Sequence, residues 1–306
     1  MADPLTLPPA LIQALRDIHD DADEWLETLP ETLARLETAW HLRITGLVPQ
    51  LSYNVVAYAE HRDKKGDGAP CILKLSPPTD EMICEAEALN YYAGDGICRL
   101  LERDDGVSAL LLERVTPGIS LQELWTPEED KTHTRITAEL MARLWRPVAE
   151  PNPFRTLTSW ARALWGEYEN IPTSLRERAQ KMLLELHPDK NPVLLHADLH
   201  HGNILTATKE PFLAIDPKGI VGARGYDVGT YLLNPVQATA EELLELLPER
   251  LELLSEMIGI DRQELARWGF VHAVLSACWD ADIHTDLHES WDVRALAVAR
   301  GLELYL

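Results

Sequence analysis

Basic residues are scarce in this 306-residue chain: 28 Lys plus Arg stand against 50 Asp plus Glu, a formal charge of −22. A surface of that sign repels phosphate backbones, so nucleic acid is excluded as an expected partner, and the acidity itself serves solubility. Cysteine is sparse too, with Cys71, Cys84, Cys98 and Cys278 only. None of them form a C-x-x-C pair, which removes zinc ribbons and dithiol redox motifs, and four scattered thiols suit a reducing cytoplasm better than a disulfide framework. No run approaches the ~18 apolar residues of a membrane span. The opening MADPLTLPPALIQAL has no basic segment ahead of an apolar one, so no secretory signal is expected. Internal repeats and low-complexity tracts are missing as well.

Apolar residues make up 46% of the chain, enough to bury a sizeable core, and the length suits two domains. Helical spacing marks Ala10 to Trp25 and, beyond Pro30, Glu31 to Trp40. The pattern then shortens. ITGLVPQ, LSYNVVAYAEH and PCILKLS are strand-like, separated by breakers and by the turn DKKGDGAP. Thr79 to Ala93 reads as a helix with Ile83, Ala86, Leu89 and Tyr92 towards the core, stopped at Gly94–Gly96. CRLLERDDGVSALLLERV reads as a hairpin. After Pro117–Gly118 the chain is mostly helical (119–125, 127–146, 156–168, 172–187, and on from Tyr226), with one strand-like island, PVLLHADLHHGNILTA and PFLAIDPKGI. Strands first and helices after predict an α+β chain of two lobes, an antiparallel N-lobe over 1–114 and a helical C-lobe over 115–306.

The island carries the chemistry. A strand over Val193–His196 feeds a loop, Ile204–Ala207 is a second strand, and Phe212–Ile215 leads to Asp216. Asp198, Asn203 and Asp216 then converge at strand ends. Phosphoryl transfer needs such a set: one carboxylate to orient a hydroxyl and accept its proton, and an amide with a second carboxylate to hold magnesium, which prefers oxygen. The close run His196, Asp198, His200 and His201 also admits a zinc reading, but the metallohydrolase pattern H-x-H-x-D-H is not met.

HADLHHGNIL followed by AIDPKG resembles the catalytic and metal-binding loops of the aminoglycoside phosphotransferase and choline kinase superfamily, H-G-D-x-x-x-x-N and then I-D. The doubled His200–His201 and IDPKGIVGARGYDVGTYLLNP are similar to its streptomycin and hydroxyurea phosphotransferase branch. Two positions depart from the pattern: Ala197 stands where the family usually has Gly, and Ala223 where an acid is frequent. A methyl group at 197 is easily accommodated unless the backbone needs a positive φ. The resemblance implies a protein-kinase-like, bilobal fold with its catalytic hairpin at 193–220, and an ATP- and Mg²⁺-dependent kinase acting on an alcohol group. It makes Asp198 the base and Asn203 and Asp216 the metal ligands. His196 would brace the loop, and Asp227 would accept hydrogen bonds from its backbone.

The same resemblance assigns nucleotide contacts to the first lobe. Lys74, in the apolar strand CILKLS, would hold the α- and β-phosphates, braced by Glu85 or by Glu87. These two point about 200° apart on a helix, so only one can serve. LVPQLSYN has no glycine triplet, so Ser52, Tyr53 and Asn54 either offer donors to phosphates or form a plain turn. Main chain around Glu113–Val115 would meet the adenine edge. For the acceptor, SACWDADIHTDLHESWD holds Asp280, Asp282, Asp286, Glu289 and Asp292 among Trp279 and Trp291. That cluster suits a small, hydroxylated, cationic molecule, with a solvated acidic face as the plain alternative. Streptomycin-like aminoglycosides and hydroxyurea head the candidate acceptors, with choline or a sugar next. A kinase-like protein that binds nucleotide without catalysis is the rival outside the enzymes.

Overall fold

The computed structural model describes residues 5–49, 51, 53–61, 68–282 and 291–306, without the side chains of Asp282 and Trp291. It divides into two compact units: residues 1–94 with 98–114, and residues 95–97 with 115–306. Each has its own core.

The first unit opens with helices α1 (Pro9–Ile18) and α2 (Ala22–Ala39). The helix expected to run to Trp25 breaks at His19–Asp21, and α2 is continuous through Pro30, joining the two expected helices. Pro30 is exposed, so its missing N–H forfeits one helical bond without burying an orphan. Strands β1 (Leu42–Leu47), β2 (Val55–His61) and β3 (Ala69–Leu75) follow. Helix α3 (Asp80–Tyr92) comes next, capped by the Thr79 hydroxyl, and then β4 (Leu100–Asp104) and β5 (Ala109–Glu113). The strands make one antiparallel sheet in the order β1-β2-β3-β5-β4. β1 stops before Pro49, and Leu51, Tyr53 and Asn54 stay outside the strands. The turn expected at DKKGDGAP lies mostly outside the described residues.

Leu11, Leu15, Leu29, Leu33 and Leu36 of α1 and α2 share a core with Val55, Ala57, Leu73, Leu75 and Leu111 of the sheet. Each such side chain, fully buried, contributes roughly 1.5–3 kcal/mol. Because strand side chains alternate, Leu73 and Leu75 turn to this core and Lys74 to the other face. On α3, Ala86, Leu89 and Tyr92 are buried as expected, but Ile83 is 44% exposed, and Met82 and Glu85 are buried instead. The buried stripe includes Glu85, a polar exception to the apolar pattern.

The second unit begins with β6 (Pro117–Ser120) and the short α4 (Leu121–Leu124), where a helix over 119–125 was expected. It continues with α5 (Asp130–Leu144), β7 (Arg146–Pro147), β8 (Arg155–Thr156), α6 (Leu157–Trp160) and α7 (Thr173–Glu185). The island supplies β9 (Val193–Leu195), β10 (Ile204–Ala207), β11 (Phe212–Ala214) and β12 (Ile220–Gly222). It is not one hairpin. β10 pairs with β11 and β6, whereas β9 joins a separate sheet in the order β7-β9-β12-β8. Helices α8 (Asp227–Leu232), α9 (Ala240–Ile258), α10 (Arg262–Asp282) and α11 (Trp291–Leu302) complete the unit. Among the described residues no helix is long and apolar enough to cross a membrane.

Most of α10 is buried, with Trp268, Phe270, Val271, Val274 and Leu275 at 0% exposure. Beside this core lies a buried ion pair. Arg250 of α9 donates from Nε to Asp130 Oδ2 at 2.8 Å and from a terminal nitrogen to Asp130 Oδ1. Its remaining donors reach the Tyr231 and Asn234 carbonyls, and Trp125 Nε1 also donates to Asp130. The guanidinium lies 4.7 Å from the Tyr231 ring centroid. The pair thus ties α5, α8 and α9 together with every guanidinium nitrogen hydrogen-bonded.

Asp130→Ala is expected to lower the unfolding free energy by about 3–5 kcal/mol, because it strands the Arg250 charge in the core. Adding Arg250→Met should recover part of that loss, which denaturant titration of the single and double variants will measure.

Candidate functional site

The candidate residues fall in both units. In the first, Lys74 on β3 is 6% exposed and donates to Glu85 Oε2 of α3 at 2.7 Å. Glu87 instead pairs with Arg103 of β4 at 2.6 Å. The two glutamates therefore face different partners, as the 100° helical step requires. A lysine and a glutamate this deeply buried need each other, since either charge alone would carry a large desolvation cost.

Tyr53 is 42% exposed and Asn54 half-buried just ahead of β2, while Ser52 lies outside the described residues. The Glu113 N–H donates to the Arg99 carbonyl at 2.8 Å, so it is already engaged. Val115 opens the second unit, 8% exposed. The expected break at Pro117–Gly118 is part of β6, which pairs Ser120 with Leu205 and Pro117 with Ala207. Gly118 takes φ 78°, and a Cβ there would stand 2.6 Å from the Val115 carbonyl oxygen, so glycine is required.

The second unit holds the loop expected to carry the chemistry. β9 delivers it and β12 fixes the strand on its far side, pairing Leu195 with Ile220. Asp227, at the start of α8 and 0% exposed, accepts from the Ala197 N–H at 2.7 Å, the His196 N–H at 3.3 Å and Trp145 Nε1 at 2.8 Å. Burial pushes the Asp227 carboxyl up to about 6 against the pull of these donors. Ala197 is held at φ 63°, the left-handed region. The positive φ on which a methyl group becomes costly is therefore present, and the side chain pays about 1–2 kcal/mol for it.

His196 is fully buried, its Nε2 at 2.8 Å from the Ile215 carbonyl and its Nδ1 accepting from the Asp198 N–H at 3.2 Å. Burial lowers its pKa to about 3, so the ring is neutral, with the proton on Nε2. This ring ties the loop to the end of β11. The Asn203 Nδ2 donates to the Asp198 carbonyl at 2.9 Å and lies 3.4 Å from Asp198 Oδ2. The Ile215 N–H donates to the Asn203 carbonyl at 3.0 Å, and Asp216 follows at φ 62°. Asp198, Asn203 and Asp216 are thereby linked through the short bonds of one loop and one strand end.

The donor set fits magnesium. Committing Nδ2 to Asp198 turns the Asn203 amide so that its oxygen is the atom offered outward, and Asp216 adds a carboxylate. An oxygen amide and one acid, with phosphate oxygens and water, suit Mg²⁺. The histidines do not assemble a zinc set. His196 is spent on main chain, and His201 turns into the core, stacked on Tyr231 with centroids 4.6 Å apart. Among the described residues no group of three or more His, Cys, Asp and Glu could hold a metal.

Two residues that the sequence reading left without a task flank Asp198. His200 Nδ1 accepts from the Gly202 N–H at 3.0 Å, which leaves its Nε2 facing Asp198 Oδ1 at 3.8 Å. Lys218 Nζ lies 3.9 Å from Asp198 Oδ2 and 3.9 Å from Asp216 Oδ2. Its place in IDPKG, two residues beyond Asp216, was the signal available in the sequence.

Further along the unit, Tyr226, Trp160, His272 and Trp279 form an aromatic cluster. The Tyr226 hydroxyl meets Trp160 Nε1 and His272 Nδ1, each at 3.1 Å, and the Trp160 and Trp279 rings are 5.1 Å apart. Asp280 is half-buried and accepts from the Asp292 N–H at 3.2 Å, while Asp292 accepts from Asn170. The side chain of Asp282, and Asp286 and Glu289 entirely, lie outside the described residues.

Comparison with known proteins follows from this geometry. A family model described as aminoglycoside/hydroxyurea antibiotic resistance kinase matches residues 39–283. The chain is 29% identical to a streptomycin 6-kinase of Streptomyces glaucescens over 96% of this chain and 95% of that one. It is 30% identical to a hydroxyurea phosphotransferase of Kitasatospora aureofaciens over 91% of this chain and 80% of the other. In fold it is similar to the choline kinase LicA from Streptococcus pneumoniae, with a TM-score of 0.63 at 15% identity, covering 91% of this chain and 100% of that one.

Ala197→Gly should raise the melting temperature by about 2–4 °C, the shift expected when about 1 kcal/mol of left-handed strain is relieved; thermal unfolding checks it. Acid should act in the opposite direction. His196 and His272 are buried with pKa values near 3, depressed by desolvation. The unfolded chain therefore binds their protons first, and stability present above pH 6.5 is lost as pH falls towards 3. Between pH 6.5 and 5 the loss should be about 2 kcal/mol per histidine. Asp227, whose pKa is raised, works against it only below about pH 6. Denaturant midpoints across that range, with His272→Gln as comparison, give the measurement.

Proposed function

The chain belongs to the aminoglycoside/hydroxyurea antibiotic resistance kinase family, and we propose that it transfers the γ-phosphoryl group of ATP to a hydroxyl of a small antibiotic molecule in the cytoplasm. The observation that carries this reading is the linked set Asp198, Asn203 and Asp216, pinned from below by buried Asp227.

Asp198 orients the acceptor hydroxyl and takes its proton as the oxygen attacks the γ-phosphorus. The bond from that phosphorus to the bridging oxygen breaks, and ADP leaves with the electron pair. Asn203 and Asp216 would hold magnesium, which would neutralise charge on the phosphates. Lys74, kept in place by Glu85, engages the α- and β-phosphates, and main chain near Glu113–Val115 with Tyr53 and Asn54 serves the rest of the nucleotide. His196 and Asp227 give the loop its shape and touch neither reactant.

The acceptor is an aminoglycoside of the streptomycin type or hydroxyurea, the compounds for which the relatives above are named. Asp280 beside Trp279 suits the guanidinium groups of such an aminoglycoside, in a chain whose charge of −22 also favours cations.

A panel of streptomycin, other aminoglycosides, hydroxyurea, choline and hexoses, each with ATP or GTP and Mg²⁺, tests the reading directly. Phosphorylated streptomycin or hydroxyurea is expected; turnover of choline or a hexose alone would reassign the acceptor, and nucleotide binding without any transfer would remove the enzyme. Asp198→Ala should cut transfer by at least about 10³-fold while Mg·ATP still binds. Asp216→Ala should abolish the Mg²⁺-dependent part of nucleotide binding, read by calorimetry with and without the metal.

A further inference from the structure

Lys218 is built into the second unit more firmly than its exposure suggests. Pro217 precedes it, and Gly219 follows at φ 61°. Its N–H donates to the His196 carbonyl at 2.8 Å, and two residues later β12 pairs with β9. The main chain is thus clamped against the strand that delivers the catalytic loop. Its side chain is 19% exposed, and the ammonium is equidistant, at 3.9 Å, from one oxygen of Asp198 and one of Asp216. At that distance it attracts both acids at once. Lys218 therefore stands over the gap between two acids that the proposed function gives different jobs.

The position has a chemical consequence. Asp198 marks where the acceptor oxygen is held, and Asp216 marks where the metal-bound phosphates are held. The phosphorus in transfer must pass from the second place to the first. Negative charge is spread over its three equatorial oxygens in that passage, and a fixed cation there stabilises the transition state more than the ground state. Resting on the proposed kinase reading, we propose that Lys218 contacts the γ-phosphoryl oxygens during transfer, and that the two carboxylates hold its ammonium in place until the nucleotide arrives. Lys218 stays protonated throughout. The acceptor proton goes to Asp198, the new bond joins acceptor oxygen to phosphorus, and ADP carries away the electron pair.

The test compares wild type with Lys218→Met and Lys218→Arg. Transfer from ATP to the acceptor identified by the panel gives kcat and KM, and calorimetry gives the affinities for Mg·ADP and Mg·AMP-PNP. Lys218→Met is expected to lower kcat by about 10²–10³-fold, the loss typical of one transition-state donor. Mg·ADP, which lacks the γ-phosphoryl group, should bind within about twofold of wild type, while Mg·AMP-PNP weakens by about tenfold, a single charge-assisted contact. Lys218→Arg should restore about tenfold or more of the lost kcat, since it keeps the charge. A Lys218→Met enzyme with kcat within about threefold of wild type would overturn the proposal. So would equal weakening of ADP and AMP-PNP, which marks a residue that only shapes the site. If wild type transfers phosphate to no acceptor, the kinase reading fails and takes this inference with it; if wild type is active, only the role of Lys218 is at stake.

Discussion

The loop that carries Asp198 depends on one buried carboxylate. Asp227 has no solvent exposure, yet three N–H groups converge on it: two from the main chain of His196 and Ala197 and one from the Trp145 indole. A buried acid without such donors would be strongly destabilised, and peptide N–H groups without an acceptor would be so too. Each therefore enforces the other. The requirement that both peptide groups reach the same carboxylate bends the chain into the left-handed region at Ala197. The next residue is Asp198, whose own N–H then meets His196. Strain at one residue is the consequence of this arrangement, and it is offset by the hydrogen bonds that impose it.

The same economy of donors runs outward from the loop. His196 joins it to the end of β11, and Asn203 spends its amide hydrogens on Asp198 and so presents its oxygen. His201, directly before Gly202, is stacked on Tyr231, whose ring also faces Arg250. The loop that carries Asp198 and Asn203 is thus anchored by His196, His201 and Asp227, each at 0% exposure, while Asp198 and His200 stay partly exposed. In a chain of strong negative charge, the cations near the acids are few and placed: Lys74 against Glu85, and Lys218 beside Asp198 and Asp216.

Much of this was legible residue by residue. Breakers and β-branched runs located the antiparallel strands, and Thr79 with its acidic first turn marked the start of α3. The spacing of Asp198, Asn203 and Asp216 was visible because strand and loop lengths are fixed by local geometry. The failures have physical causes. The two expected helices left residues 26–30 between them, yet α2 runs through exposed Pro30, which tolerates the missing bond. Ile83 looks like core, but the buried stripe of α3 is set by Glu85, whose burial depends on a lysine from a distant strand. Pro117–Gly118 reads as a break, and becomes a strand only because β10, from far along the chain, pairs with it.

What the sequence by itself determined is local: where helices and strands begin, which loop carries the acids, and the family to which the motif points. Periodicity, capping and loop length act over a few residues, so one chain read in order suffices. Only the tertiary structure decided which of Glu85 and Glu87 meets Lys74, that Ala197 is left-handed, that β9 and β10 lie in different sheets, and that Lys218 stands equidistant from two carboxylates. Apart from the Lys218–Asp216 contact, each of those depends on partners separated by ten to a hundred residues, and no local rule specifies which distant group will supply the opposite charge or the missing hydrogen bond.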